Sequence, residues 1–202
     1  MCYRFYIDLF FKKKFNKELS DRGILIPDGD FTTLLNPRDV HPSETALVIA
    51  GSDRTVSATP MAWGFSNPIQ KGLLANARSE TIKEKSTFRE SALLRRCAIP
   101  ASGFYEWDVN KARFRFFRND EELLWLAGIY RQENGMKRFT VLTREAAGAM
   151  IPIHPRMPVT LTSNEIDPWI KDESSMDDIF RKEPKYIIRE QDAGQISMDF
   201  DI

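Results

Sequence analysis

Between residues 96 and 143 the chain is almost unbroken strand material. RCAIPA at 96–101, GFYEWD at 103–108, ARFRFFR at 112–118, ELLWLAGIYR at 122–131 and KRFTVLT at 137–143 follow one another with short interruptions. An earlier run, ALVIAG at 46–51, has the same character. Each is rich in β-branched and aromatic residues, and ENG between the last two central segments reads as a hairpin turn. Strands that succeed one another without alternating helices cannot build a parallel βαβ sheet. They require an α+β fold, with a mostly antiparallel sheet or a partly closed β-barrel and flanking helices.

Helical pieces are expected around this series. Residues 6–20 carry apolar residues at helical spacing beside lysines, with KKK at 12–14 read as a solvated face. SETIKEKSTFRESALL, TREAAGAM at 143–150 and SNEIDPWIKD complete the set. Pro and Gly are scattered and no repeat is present, so residues 1–202 read as a single domain, with 171–202 a C-terminal extension. QISMDFDI at 195–202 is acidic and apolar, and its reading stays open between a partner-docking tail, a terminal strand and an unstructured end.

Composition enters where it excludes partners and compartments. Lys plus Arg equals Asp plus Glu at 29 each, so net charge gives no reason to expect nucleic acid, and any polyanion must be met by local clusters of Arg and Lys. Two cysteines, Cys2 and Cys97, make no disulfide framework. No apolar stretch is long enough to span a bilayer and YIDLFF followed by KKK is not a signal peptide, so a cytoplasmic, non-membrane, monomeric protein is expected.

Few residues offer chemistry. His154 is one of two histidines and lies in IHPRMP, where prolines hold the backbone extended and present an imidazole beside the Arg156 guanidinium. No second His or Cys stands at ligand spacing, so no metal is expected, nor any other cofactor. Glu106 sits among Phe104, Tyr105 and Trp107, either facing solvent or buried with a partner for acid/base work. Asn76, Arg78 and Glu80 in ANARSET fit ordinary helix-capping chemistry. Cys97, in an apolar run, reads as core.

Cys2 is different because of its position. Aminopeptidases that remove an initiator methionine admit small second residues, so the mature chain is expected to begin with cysteine. Its α-amine, with an ordinary pKa of about 7.7–8.0, then sits beside its own thiol. Such a 1,2-aminothiol forms an imine with an aldehyde and closes it to a five-membered thiazolidine.

Taken in order, MCYRF, NPRDVHPSETALVI, MAWGF, ANARSET, FRESALLRRCAIPASGFYEW and IHPRMPV resemble the motifs of the SRAP (SOS response-associated peptidase) family, the abasic-site processing proteins. The likeness runs from residue 1 to about 170. It implies a bacterial protein, nucleoid-associated when bound, that links Cys2, after loss of Met1, to the ring-opened sugar aldehyde of an abasic site in single-stranded DNA. It also implies incision through the imine and autoproteolytic removal of Met1.

By the same resemblance Asn76 orients the Cys2 main chain, Glu106 shuttles protons, and His154 acts at the sugar hydroxyl and in reversal. Arg4, Arg78 and Arg156 grip phosphates, Thr143 adds a hydrogen bond, and Pro42 and Trp63 stack against bases or brace the strand, Trp63 having a buried core role as its other reading. Replication or repair proteins are the implied partners. Tyr3 departs from the family's usual glycine, and FSNPIQKG after the WG motif lacks a further Trp. Two other functions fit the residues: a peptidase or amidase in which Cys2 attacks an amide, with His154 as base and Asn76 at the oxyanion, or a non-enzymatic DNA-binding module.

Overall fold

The computed structural model describes residues 2–24, 31–52, 55–184 and 187–191. Met1 and the 195–202 segment lie outside the described residues.

The strands with the most continuous apolar runs are those with both faces covered. Every residue of RCAIPA is buried, as is every residue from Leu124 to Tyr130. In chain order the early strands are β1 (Phe5–Ile7), β2 (Arg38–Val40), β3 (Thr45–Ser52), β4 (Thr55–Trp63), and the short β5 (Phe65–Ser66), β6 (Leu73–Leu74) and β7 (Asn76–Arg78). The central series follows as β8 (Arg96–Ala101), β9 (Gly103–Trp107), β10 (Arg113–Arg118), β11 (Leu124–Glu133) and β12 (Met136–Glu145). The chain ends in β13 (Arg156–Pro158), β14 (Thr160–Leu161) and β15 (Ile187–Gln191). Helices are α1 (Phe11–Asp21), α2 (Ser86–Leu94), α3 (Ile166–Lys171) and α4 (Ser175–Arg181).

β12, β4, β3, β8 and β11 pair in that order, and β11 pairs again with β12, so the sheet closes into a barrel. Closure removes the open edges that an antiparallel meander would otherwise expose. The expected α+β class with a barrel therefore holds, and the barrel is complete. Most of its pairs are antiparallel; β12 joins β4 in parallel at Arg138↔Ala62 and Phe139↔Trp63. The hairpin from β11 to β12 turns on Asn134 and Gly135, both at positive φ, as the ENG reading predicts.

β12 outlasts the barrel. Its second half carries β7 in parallel on one side (Thr143↔Arg78) and β13 antiparallel on the other (Thr143↔Pro158). The NAR and IHPRMP segments, far apart in sequence, are thereby set either side of one strand. A second sheet, in the order β15-β10-β9-β1-β2, carries Glu106 in β9 and continues from Cys2 into β1.

Four local expectations are corrected. Residues 5–7 are strand and the helix begins at Phe11, because Phe5 and Ile7 are buried on one side of β1 and β1 pairs with both β2 and β9. Asp8 then accepts the Phe10 N–H at 2.9 Å where the helix starts. SETIKEK is a short 3₁₀ turn, with α2 starting only at Ser86, and TREAAGAM is strand to Glu145 followed by a 3₁₀ turn at Gly148–Met150. Long-range pairing overrides local propensity in each case. β4, which the sequence reading omitted, tolerates Pro60 because β12 pairs only with Ala62 and Trp63 and leaves that side of the strand free of a ladder at Pro60.

Trp63 is fully buried, with Nε1 donating to the Ala75 carbonyl at 2.8 Å and its ring stacked on Phe139 and tilted against Phe5. It has no face to offer a base, and the core role stands in place of the stacking role. Trp63→Ala is expected to destabilise the fold by about 3–5 kcal/mol, read as a lower midpoint in urea at unchanged slope.

Candidate functional site

The site forms where the two sheets meet. Cys2, three residues before β1, is buried, and its carbonyl accepts a 2.8 Å hydrogen bond from Asn76 Nδ2 in β7. That bond crosses from the barrel sheet to the second sheet. Asn76 is therefore a strand residue pinning the start of the chain, and the capping reading of ANARSET is replaced. Its other amide atom, Oδ1, is buried with no hydrogen-bond partner among the described residues. A buried orphan acceptor is costly unless a ligand or a change of state supplies its donor.

Glu106 is 3% exposed, so of its two readings the buried one holds. Alternation along β9 turns Glu106 inward with Phe104, while Trp107 is partly exposed. His154 Nδ1 lies 3.5 Å from Glu106 Oε1. The same nitrogen lies 3.0 Å from the Arg156 N–H and 3.1 Å from the Arg156 carbonyl. An unprotonated Nδ1 accepts from the N–H; a protonated one faces two oxygens. The ring thus finds a partner in either state, which suits a group that takes and returns a proton.

The Cys2 thiol is pushed up to about 12 by burial first and then by the nearby Glu106 charge, with the Arg4 carbonyl 3.8 Å from Sγ. Relative to an ordinary cysteine this cuts the thiolate fraction at neutral pH roughly a thousandfold. Cys97 is buried in the barrel with its thiol likewise raised, as a core residue should be. Both cysteines are expected to resist iodoacetamide at pH 7.5 in the native protein and to react fully in denaturant, as read by intact mass.

The cations are held in place by acids. Arg156 makes a bidentate pair with Glu80 (2.6 and 2.9 Å) and donates to the Thr143 carbonyl at 2.7 Å. Burial raises the Glu80 carboxyl, but the Arg156 hydrogen bonds and charge, with those from backbone N–H groups, outweigh it and hold the group below its usual value. Arg4 pairs with Asp39 and lies over the Tyr105 ring at 5.0 Å. Arg78 is exposed in β7. Thr143 is fully buried and its hydroxyl donates to the Ala77 carbonyl at 3.4 Å, so it ties β7 to β12 and sits behind Arg156, in place of a direct reach to a ligand.

Pro42 stands partly buried in the turn between β2 and β3, which the Ser43 N–H ties to the Trp63 carbonyl at 2.8 Å. No hydrogen bond among the described residues joins that turn to the Cys2 cluster. Tyr3 is 49% exposed, so the bulk that replaces glycine lies at the surface next to the buried Cys2. Asp39, Tyr105 and Trp107 were not singled out from the sequence. Alternation about Glu106 marks the two aromatics, whereas the role of Asp39 comes only from the β1–β2 register.

The fold, a closed barrel with a second sheet beside it, is shared with proteins of known structure. A protein from Bacteroides thetaiotaomicron of known crystal structure aligns with 94% of this chain and 91% of its own, at TM-score 0.77 and 20% identity. One from Bordetella bronchiseptica aligns with 95% and 99%, at TM-score 0.75 and 22% identity. The sequence defines the class further. Residues 1–195 match the family described as SOS response associated peptidase (SRAP), and the chain belongs to that family. Among its relatives, Abasic site processing protein YoqW of Bacillus subtilis is 29% identical over 188 residues, covering 85% of this chain and 82% of that one. Abasic site processing protein YobE of the same organism is 31% identical over 159 residues, covering 72% and 71%.

Proposed function

We propose that this protein processes abasic sites in single-stranded DNA and shields them by a covalent thiazolidine link through Cys2. Membership of the SRAP family and the names of its relatives support the lesion as target. The observation that carries the chemistry is the Asn76 bond to the Cys2 carbonyl, which holds the start of the chain beside Glu106 and His154.

Loss of Met1 exposes the Cys2 α-amine. His154 relays the C1′ hydroxyl proton to the ring oxygen of the abasic sugar, so that the ring opens to a C1′ aldehyde and a C4′ hydroxyl. The amine attacks C1′ to give a carbinolamine, and Glu106, having taken a proton from the amine, returns it to the departing hydroxyl, so that water leaves and an imine remains. Sγ then adds to the imine carbon while the thiol proton passes through Glu106 to the nitrogen. Aldehyde and aminothiol have become thiazolidine and water. The orphan Asn76 Oδ1 is suited to accept from the α-amine or the carbinolamine.

A neutral buried thiol weighs in favour of this order, in which the amine attacks first and the thiol adds to an already electrophilic carbon. It weighs against the peptidase reading, in which a thiolate must begin the reaction. Arg4, Arg78 and Arg156 bind phosphates through charge-assisted bonds, Arg4 and Arg156 by exchange with Asp39 and Glu80, so no net positive charge is needed. The same imine is competent for strand incision by β-elimination.

Protein verified by mass to lack Met1 is incubated with an oligonucleotide bearing one abasic site and run on a denaturing gel. A slow-migrating adduct that forms without borohydride is expected, and a shortened strand reports incision. Absence of the adduct from fully processed protein would overturn the proposal.

A further inference from the structure

The outer face of the second sheet takes no part in this chemistry, yet aromatic and cationic side chains touch along it in sequence. Arg4 and Arg113 place their Cζ atoms 5.0 and 5.1 Å from the Tyr105 centroid, and the Tyr105 and Tyr6 rings are 5.0 Å apart. Arg115 lies 5.1 Å over Phe117 in the neighbouring strand. Gly103 makes the arrangement possible: a Cβ there would stand 2.6 Å from Tyr6 Oη, so only glycine leaves room for that ring to cross β9.

Beyond Tyr6 the face opens into a groove of about 970 Å³, walled on one side by Lys13 and Lys14 of α1 and on the other by Arg115 and Phe117 of β10. Its lining includes five cations, Lys13, Lys14, Lys17, Arg115 and Arg118, against three carboxylates, Asp8, Glu121 and Glu122. Lys17, Arg115 and Arg118 pair with Asp21, Glu190 and Asp120, which leaves Lys13 and Lys14 as the lining cations with no ion pair among the described residues.

We propose that a single strand leaving the Cys2 site runs over this face into the groove, its bases against Tyr105, Tyr6 and Phe117 and its phosphates against Arg113, Arg115, Lys13 and Lys14. Stacked aromatics interleaved with cations bind single strands without regard to sequence, because every base has a π face. The track starts at Arg4, two residues from Cys2, so it is continuous with the reacting centre. The Arg115 pair with Glu190 is exposed and cheap to exchange for a phosphate. Two of the three lysines of the KKK run, Lys13 and Lys14, thus line a nucleic-acid groove. The proposal extends the function above to a longer footprint and rests on that reading for its starting point.

The test uses the full chain and undamaged fluorescent oligonucleotides of about 6 and 14 nucleotides, together with a short abasic oligonucleotide that can be lengthened on its 5′ or 3′ side. The 14-mer is expected to bind about tenfold more tightly than the 6-mer by anisotropy and with a steeper salt dependence, and lengthening the abasic oligonucleotide on one side only should speed its crosslinking. The K13Q/K14Q/R115Q variant should lose that gain and slope while crosslinking the short abasic oligonucleotide at the normal rate, which also shows that it is folded. Affinity independent of length, or a gain that survives in the variant, would overturn the track. Because affinity is read on undamaged DNA, the track is tested even if no crosslink ever forms, and a failure of the lesion reading is seen separately in the short abasic oligonucleotide.

Discussion

Cys2→Ala is expected to abolish the borohydride-independent adduct with abasic DNA, while the processed variant still yields an adduct when borohydride is present. The alanine chain keeps the α-amine, so it can form the imine and be trapped by reduction, but it has no thiol with which to close the ring. The loss in stable product should be essentially complete, because the amine alone gives a reversible imine. Cys2→Ser should behave nearly as alanine does, its hydroxyl being the poorer nucleophile toward an imine carbon. Protein that retains Met1 should form neither species. A stable adduct on Cys2→Ala would place the link on another residue and end the thiazolidine proposal.

Glu106→Gln is expected to slow adduct formation about a hundredfold at pH 7.5, the usual cost of losing a positioned proton carrier. The amide keeps the shape of the side chain and its capacity to hydrogen-bond, and removes proton transfer together with the negative charge. Its effect on the thiol has the opposite sign. The Glu106 charge raises the Cys2 thiol, so neutralising it lowers that pKa and increases the thiolate fraction at a given pH. Alkylation of Cys2 should therefore be no slower in the variant, and crosslinking should be much slower. A change of both rates in the same direction would mean that Glu106 acts through packing, and equal crosslinking rates would remove it from the chemistry. The single-turnover rate on a denaturing gel and mass-detected alkylation give the two readouts.

The order of strands was legible in the sequence because strands with both faces buried are nearly continuous apolar runs; β8 and β11 show this directly. Segments that are short and depend on distant partners were not. β1 is only 3 residues long and is held by β2 and β9, and β7 is a strand because β12 runs alongside it. Local propensity has no access to either fact. The same division applies to side chains. Motif and chemistry point to Cys2, Asn76, Glu106, His154 and the three arginines, and on the same footing to Trp63 and Thr143, whose polar atoms are engaged by the Ala75 and Ala77 carbonyls in the core.

By itself, then, the sequence determined which reagents this protein has: a cysteine placed so that loss of Met1 makes it a 1,2-aminothiol, a carboxyl among aromatics, and an imidazole on a stiff proline-flanked segment. Only the tertiary structure decided that they lie at one place. β12 extends past the barrel and aligns β7 with β13, and pairing of β1 with β9, continued by the Tyr105 N–H to the Arg4 carbonyl, brings the Cys2 segment alongside the strand of Glu106. The bond from Asn76 to the Cys2 carbonyl then spans the two sheets. Chemical identity is a property of each residue alone, whereas proximity between residues as distant in the chain as Cys2 and Asn76, 74 positions apart, is set by strand pairing and core burial that no local segment encodes.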